Sequence, residues 1–197
     1  MCMTQHTHLQ PLQHSYRQFI YPYAQHITFA VTLTMKMRAK VRVKRFDNYG
    51  DEYYEYWVTL DDEKIRSTIC RFTARLTALL YGNHARHKNK RAWATPLLIV
   101  AVEGRNTHKR QHLHLALGNI PDAKRTHIES FIKQAWADCD FGYKQTETKL
   151  LFDGYGWLDY MTKEVGYTDN DALDVASSTI PKFIQDSICT ESRLLTA

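Results

Sequence analysis

No apolar run in this chain approaches the ~20 residues that a membrane-spanning helix needs; the longest, Pro96 to Val102, has seven. No basic-then-apolar leader opens the sequence, so neither a secretory signal nor a membrane anchor is expected, and the chain reads as cytoplasmic. Cysteine is scarce: there are four, at positions 2, 70, 139 and 189, without Cys-x-x-Cys spacing. That argues against a disulfide framework or a cysteine zinc site, suits a reducing compartment, and leaves plain core thiols as the expected use. There is no internal repeat, no low-complexity tract and no G-x-x-x-x-G-K-[ST] run, so no nucleotide-driven motor motif. Acidic residues are missing from the first 46 positions, which hold seven Lys and Arg.

What remains is the balance of a globular protein: 197 residues, 44% apolar and 24% charged, enough for one domain around one core. The net charge is +5 and is unevenly spread. Residues 84–111 add seven more bases against one acid, Glu103, whereas 150–197 carries eight acids against three bases. Basic blocks on a balanced chain point toward a polyanionic partner, or else to a solvated basic face.

The first 25 residues are rich in Gln and His without periodicity and are expected to form a loose, flexible arm. From Ile27 the chain alternates. Phe29, Val31, Leu33, Met35 and Met37 take one face, and Thr28, Ala30, Thr32, Thr34, Lys36 and Arg38 the other, which predicts a strand. The alternation continues through Val41 and Val43, with room for a turn to interrupt it before Asp47-Asn48-Tyr49-Gly50, and residues 53–60 read as a second strand or hairpin arm. A helix follows, capped by Asp61 or Asp62, with Ile65, Ile69, Phe72, Leu76 and Leu79 on one side and Gly82 at its end. Two strands, Thr95 to Glu103 and Gln111 to Leu117, flank a basic loop. Pro121 and Asp122 start a second helix with Ile128, Phe131, Ile132 and Trp136 inward. Residues 141–149 predict another strand, and about Asp153 to Val165 a short helix. A small helix is expected after Pro181. The fold class is therefore α+β, a central antiparallel sheet of about five strands with flanking helices.

Two local patterns carry chemistry. His112 and His114 stand two apart on a strand, so both imidazoles project from one face while Leu113 enters the other. Glu103 ends the preceding strand and can reach the same point, and two imidazoles with a carboxylate are a common donor set for a divalent ion. The alternative is a half-exposed strand whose histidines face water. The second pattern is Tyr160-Met161-Thr162-Lys163, where a three-residue step puts Lys163 on the Tyr160 side of a helix, one turn along. A phenol with a pKa near 10 needs a cation's help to attack a phosphodiester; the plain alternative is a surface tyrosine beside a solvated lysine.

Taken together, four stretches resemble the HUH endonucleases: FAVTLT (Phe29 to Thr34), LLIVAVEG with Glu103, HLHLALG with His112 and His114, and WLDYMTKE with Tyr160 and Lys163. The likeness is greatest to the single-tyrosine rolling-circle replication initiators of small single-stranded-DNA phages and plasmids. The stretches fall in the family's chain order over about residues 26–166, which the resemblance makes the endonuclease domain. Residues 167–197 are then an acidic extension, packed on the domain or trailing it.

The resemblance implies an RRM/palm-like sheet with FAVTLT as a central strand beside the active site. It implies Mg²⁺ or Mn²⁺ held by His112, His114 and Glu103, with His108 as the alternative third ligand. Tyr160 would be the nucleophile, and Lys163 would sit near the scissile phosphate or the metal. The activity implied is nicking of single-stranded DNA through a 5′-phosphotyrosine, with a host helicase and replication proteins as partners. Lys36, Arg38, Lys88, Lys90, Arg91, Lys109 and Arg110 are expected to hold the DNA backbone, and Tyr53, Tyr54 and Tyr56 either stack on bases or pack in the sheet. A second tyrosine four residues from Tyr160 is missing, since 156 is Gly and 164 is Glu. Tyr155 points about 140° away round a helix, and Tyr167 follows Gly166, which can end one. Other readings are a transposase of the same superfamily and a non-catalytic nucleic-acid-binding module, although the aromatic RNP signature is lacking. A zinc protein using His84, His87 and His108 would lack cysteine ligands.

Overall fold

The computed structural model describes residues 11–47, 50–87, 92–107 and 110–194. Helix α1 (Pro11–Ile20) and a 3₁₀ turn (Tyr21–His26) lead into strand β1 (Ile27–Met35). Strands β2 (Arg38–Asp47) and β3 (Gly50–Thr59) form a hairpin, and helix α2 (Asp62–Tyr81) follows. Next come β4 (Leu97–Glu103), β5 (His112–Gly118), α3 (Asp122–Arg125) and α4 (Ile128–Ala137). Strand β6 (Gly142–Leu150), α5 (Gly154–Met161) and α6 (Lys182–Leu194) complete the order.

The fold is α+β. Four antiparallel strands form the sheet in the order β4-β5-β1-β6, so β1 is central. The hairpin β2–β3 is a separate two-stranded sheet. The chain changes partners at Lys36–Met37: the Lys36 amide still bonds along β6, to the Phe141 carbonyl (2.8 Å), whereas the Met37 carbonyl already accepts the Leu60 amide of the hairpin (2.9 Å). Met37, expected on the apolar face, is consequently exposed.

The two faces of the sheet bury different cores. Val31, Leu33, Met35, Val100, Leu113 and Leu115 meet Ile69, Phe72 and Leu76 of α2 and Ile132 and Trp136 of α4. Each such fully buried side chain contributes about 1.5–3 kcal/mol of transfer free energy. The helix α2 holds its place with the Asp61 carboxylate accepting the Lys64 amide at 2.8 Å and Gly82 at φ +55° ending it. On the other face Ile27, Ile99, Ala101 and Ala116 meet Ile20, Leu158, Met161, Val165, Leu173 and Ile184.

Three expectations change. Residues 11–25 are not a loose arm: Ile20, Tyr23 and Ala24 are buried, and buried Gln13 donates Nε2 to the Thr162 carbonyl at 2.9 Å. A glutamine used inside the core breaks the apolar period that would have marked the helix. Residues 1–10 lie outside the described residues. The helix expected from Asp122 is broken at Thr126–His127 into α3 and α4. The expected helix 153–165 ends at Met161, because Thr162 Oγ1 takes the Asp159 carbonyl (3.0 Å) and Gln13 takes that of Thr162.

The acidic segment packs on the domain. Leu98 and Thr179 exchange amide bonds of 2.8 and 2.7 Å, and the Val102 amide reaches the Ala172 carbonyl at 2.7 Å, so the segment covers the β4 edge. Its acids are in use there: Asp169 pairs with Arg105 (3.3 Å) and Asp174 Oδ1 accepts the Ser177 amide (3.0 Å). The β6 edge is exposed and charged through Lys144, Glu147 and Lys149, which discourages strand addition. Among the described residues no helix is long and apolar enough to cross a membrane.

Candidate functional site

The register of the sheet puts Glu103 opposite His112 across β4–β5, and His114 between Ala101 of β4 and Thr32 of β1. Alternation turns Leu113 and Leu115 into the α2 side, so His112 and His114 face α5. Small residues at Ala30, Ala101 and Ala116 allow α5 to approach this face.

His114 is only 6% exposed, yet both its nitrogens have partners. Its Nε2 lies 2.5 Å from Glu103 Oε2 and its Nδ1 3.1 Å from Thr32 Oγ1. A carboxylate can only accept, so here Nε2 carries the proton and Nδ1 accepts from the Thr32 hydroxyl. Burial lowers the His114 pKa below its ordinary value, and the Glu103 contact, pulling upward, does not restore it. The imidazole is therefore neutral, the form that can ligate a metal.

Glu103 Oε2 also accepts from Lys163 Nζ at 2.7 Å. Burial pushes the Glu103 pKa up, but the hydrogen bonds from Lys163 and His114 outweigh it and the carboxyl titrates below its usual range. For Lys163 burial works downward, and its contacts with Glu103 and Tyr160 leave it above the ordinary lysine value. The pair is thus an ammonium on a carboxylate.

Tyr160 completes the cluster from α5. Its ring stacks on Trp157 (5.3 Å between centroids, 15° between planes) and meets the His114 ring edge-on at 5.2 Å. Lys163 Nζ lies 3.7 Å from the Tyr160 ring centroid. Tyr160 itself is 42% exposed, so part of its side chain faces solvent. Beside it a cleft of about 220 Å³ is lined by Thr32, His114, Glu147, Lys149, Trp157 and Tyr160. Although α5 ends before Lys163, the turn bonding the Lys163 amide to the Tyr160 carbonyl (3.2 Å) keeps both side chains on the same side.

Two imidazoles and a carboxylate are donors that a divalent ion can use, and His112, His114 and Glu103 lie on one face of paired strands. In this arrangement Glu103 is engaged with His114 and Lys163, and among the described residues no three His, Cys, Asp or Glu groups gather around one point. Thr32 Oγ1 can serve either tautomer of His114, as acceptor or donor, which is how an outer partner commonly orients a histidine ligand.

Of the expected DNA-contacting residues, Lys36 donates to the Asp140 carbonyl (3.1 Å), Arg38 lies exposed over Trp57, and Arg110 covers the Tyr143 ring at 4.5 Å. Lys88, Lys90, Arg91, Lys109 and His108 lie outside the described residues. Tyr155 packs edge-on against Tyr21 at 5.4 Å, and Tyr167 follows the end of α5.

Thr32, Trp157 and the N-terminal helix escaped the sequence reading. Thr32 was visible only as one of several polar positions on β1, and Trp157 as a residue one turn before Tyr160. The segment 11–26 sets the position of α5. Arg17 Nε bonds Thr162 Oγ1 (3.1 Å) and Asp159 (3.2 Å), the Tyr21 hydroxyl donates to Asp159, and Gly154 abuts the Ala24 carbonyl. Comparison of the chain with known protein families, with curated proteins and with solved structures finds no match.

Proposed function

We propose that this protein is a site-specific single-stranded-DNA nickase and rejoining enzyme of the HUH type, acting through Tyr160 to initiate rolling-circle replication. The observation that carries the reading is convergence. Tyr160 and Lys163 lie more than forty positions from His112, His114 and Glu103 in the chain, yet the tyrosine ring touches His114 and the lysine bonds Glu103.

In the proposed reaction the Tyr160 oxygen attacks a backbone phosphorus. The new bond is a 5′-phosphotyrosine, the P–O3′ bond breaks, and the phenolic proton ends on the released 3′-hydroxyl. One phosphodiester replaces another, so no nucleotide is consumed and the reverse step rejoins the ends. Lys163, held as an ammonium beside Tyr160, stabilises negative charge on the phenolic and phosphoryl oxygens instead of taking the proton. His112, His114 and Glu103 would hold Mg²⁺ or Mn²⁺. Bound there, the ion would polarise the scissile phosphate. Thr32 fixes the His114 ring, and Trp157 fixes the ring of Tyr160. Basic side chains would hold the backbone in a salt-sensitive manner, and duplex opening would fall to a host helicase.

The test is to incubate the protein with Mn²⁺ and a randomised single-stranded DNA pool and isolate adducts that survive denaturant. A 5′-phosphotyrosine at position 160, lost in Tyr160→Phe and in EDTA, is the expected result. An adduct persisting in Tyr160→Phe would move the nucleophile to Tyr155 or Tyr167. DNA binding without any adduct would make the protein a binding module.

A further inference from the structure

The hairpin β2–β3 projects from the main sheet with two unlike faces. Ala39, Val41 and Val58 lie on one; Ala39 is buried, and Val58 packs against the core beneath α2. Arg38, Lys40 and Arg42 occupy alternate positions and so share the other face. The register sets them opposite Thr59, Trp57 and Glu55, with Tyr53 two residues beyond Glu55 on the same side. Both aromatic residues on this face are open, Trp57 at 60% exposure and Tyr53 at 51%. The Arg42 guanidinium lies 4.1 Å from the Tyr53 centroid and that of Arg38 5.8 Å from Trp57.

Exposed large aromatics interleaved with cations make an unusual surface for water. Glu55 is the acid facing them here, and it is already paired with Lys40. Toward its root the face opens on a cleft of about 420 Å³ whose far wall is residues 137–140. The two aspartates of that wall are neutralised from α2, Asp138 by Arg75 (2.6 Å) and Asp140 by Arg71 (2.9 Å). Among the described residues Arg38 has no acidic partner, and Arg42 faces only Glu55, whose carboxylate Lys40 already holds, so both guanidinium groups can meet an outside anion.

We infer that this face is a stacking platform for single-stranded DNA, with unpaired bases on Trp57 and Tyr53 and their phosphates against Arg38 and Arg42. Rings offer a π face that any unpaired base can use, whereas a duplex keeps its bases stacked on one another. From Arg38 to Arg42 the strand rises about 13 Å, close to four stacked nucleotides at about 3.4 Å each. The position suits a strand entering the candidate site. The hairpin springs from the end of β1 where Thr34 pairs with His112 and the Met35 amide bonds the Gln111 carbonyl at 3.0 Å. The choice of a single strand rests on the nicking proposal; the stacking itself needs no covalent step.

The experiment uses the full chain, EDTA, and a fluorescein-labelled mixed-sequence 20-nucleotide strand followed by anisotropy. Trp57→Ala and Tyr53→Ala should each weaken binding about tenfold, while Trp57→Phe keeps a ring and stays within about threefold. The same sequence as a blunt duplex should bind at least about tenfold more weakly. Quenching of intrinsic fluorescence by the strand should fall in Trp57→Phe, a readout that holds even where the alanine variants fold poorly. Affinities of folded alanine variants within twofold of wild type, equal binding of the duplex, or no DNA binding at all would overturn the platform. Adduct formation at Tyr160, scored separately, keeps the two proposals apart. Binding that depends on Trp57 without any adduct supports the platform and sinks the nickase. An adduct formed at an unchanged rate in Trp57→Ala does the reverse.

Discussion

Strand β5 shows two regions of this molecule in alternate residues. Leu113, Leu115 and Leu117 turn under α2 and α4 and are fully buried, while His112, His114 and Ala116 turn toward α5. The first face is filled with branched and aromatic side chains that need only shape and dryness. The second carries small residues where α5 approaches, and polar groups wherever a partner reaches them. His114 is as buried as parts of the apolar core, yet its cost is offset by Thr32 and Glu103. One pleated backbone thus supplies stability on one side and candidate chemistry on the other.

Neighbouring substitutions on β1 should separate these tasks most sharply. Leu33→Ala, at a fully buried position, is expected to cost about 2–5 kcal/mol, read by urea unfolding, with the folded fraction still forming adducts at the wild-type rate. A drop in adduct rate beyond the loss of folded protein would mean that the two faces are coupled.

A change at the α5 docking point should touch both properties. A Cβ on Gly154 would lie 2.3 Å from the Ala24 carbonyl oxygen, a backbone atom that cannot swing aside. Gly154→Ala should therefore lower stability by about 1–3 kcal/mol and slow adduct formation as Tyr160 is displaced. A melting curve superposable on wild type would show that residues 21–26 do not hold α5.

Thr32→Val removes only the hydroxyl behind His114. Stability should fall by about 1–3 kcal/mol, since buried Nδ1 loses its donor, whereas adduct formation should fall about tenfold or more, as for outer partners of metal-ligating histidines. Equal rates in the two proteins would remove Thr32 from the site.

The smallest effect is expected at Asp61, which serves the packed face alone. The Lys64 amide bond holds its carboxyl below the ordinary 3.8. A depressed folded pKa means a contribution present above the unfolded pKa and lost as pH falls through the folded one. The stability gap between wild type and Asp61→Ala should be full at neutral pH and close below about pH 4; a gap that widened in acid would contradict the capping bond.

How much of this was legible in advance follows the range of each interaction. The ends of α2 were readable because Asp61 and Gly82 act within four residues of themselves. The pairing of His112 with His114 was readable because strand alternation is local. The helix 11–20 was not, because its buried glutamine makes sense only opposite a carbonyl far along the chain, at Thr162. The place where the chain leaves β1 for the hairpin was not readable either, since the alternation runs on past the change of partners at Lys36–Met37.

The sequence by itself determined which side chains share a face, through periods of two and 3.6 written into neighbouring residues. Only the tertiary structure decided that Tyr160 meets His114, that Lys163 takes a carboxylate oxygen of Glu103, and that Thr32 and Trp157 hold the rings in place. The physical reason is that those contacts depend on how closely α5 can lie on the sheet. That distance is set jointly by small residues on β1, β4 and β5 and by the docking of residues 11–26, and no stretch of neighbouring residues encodes it.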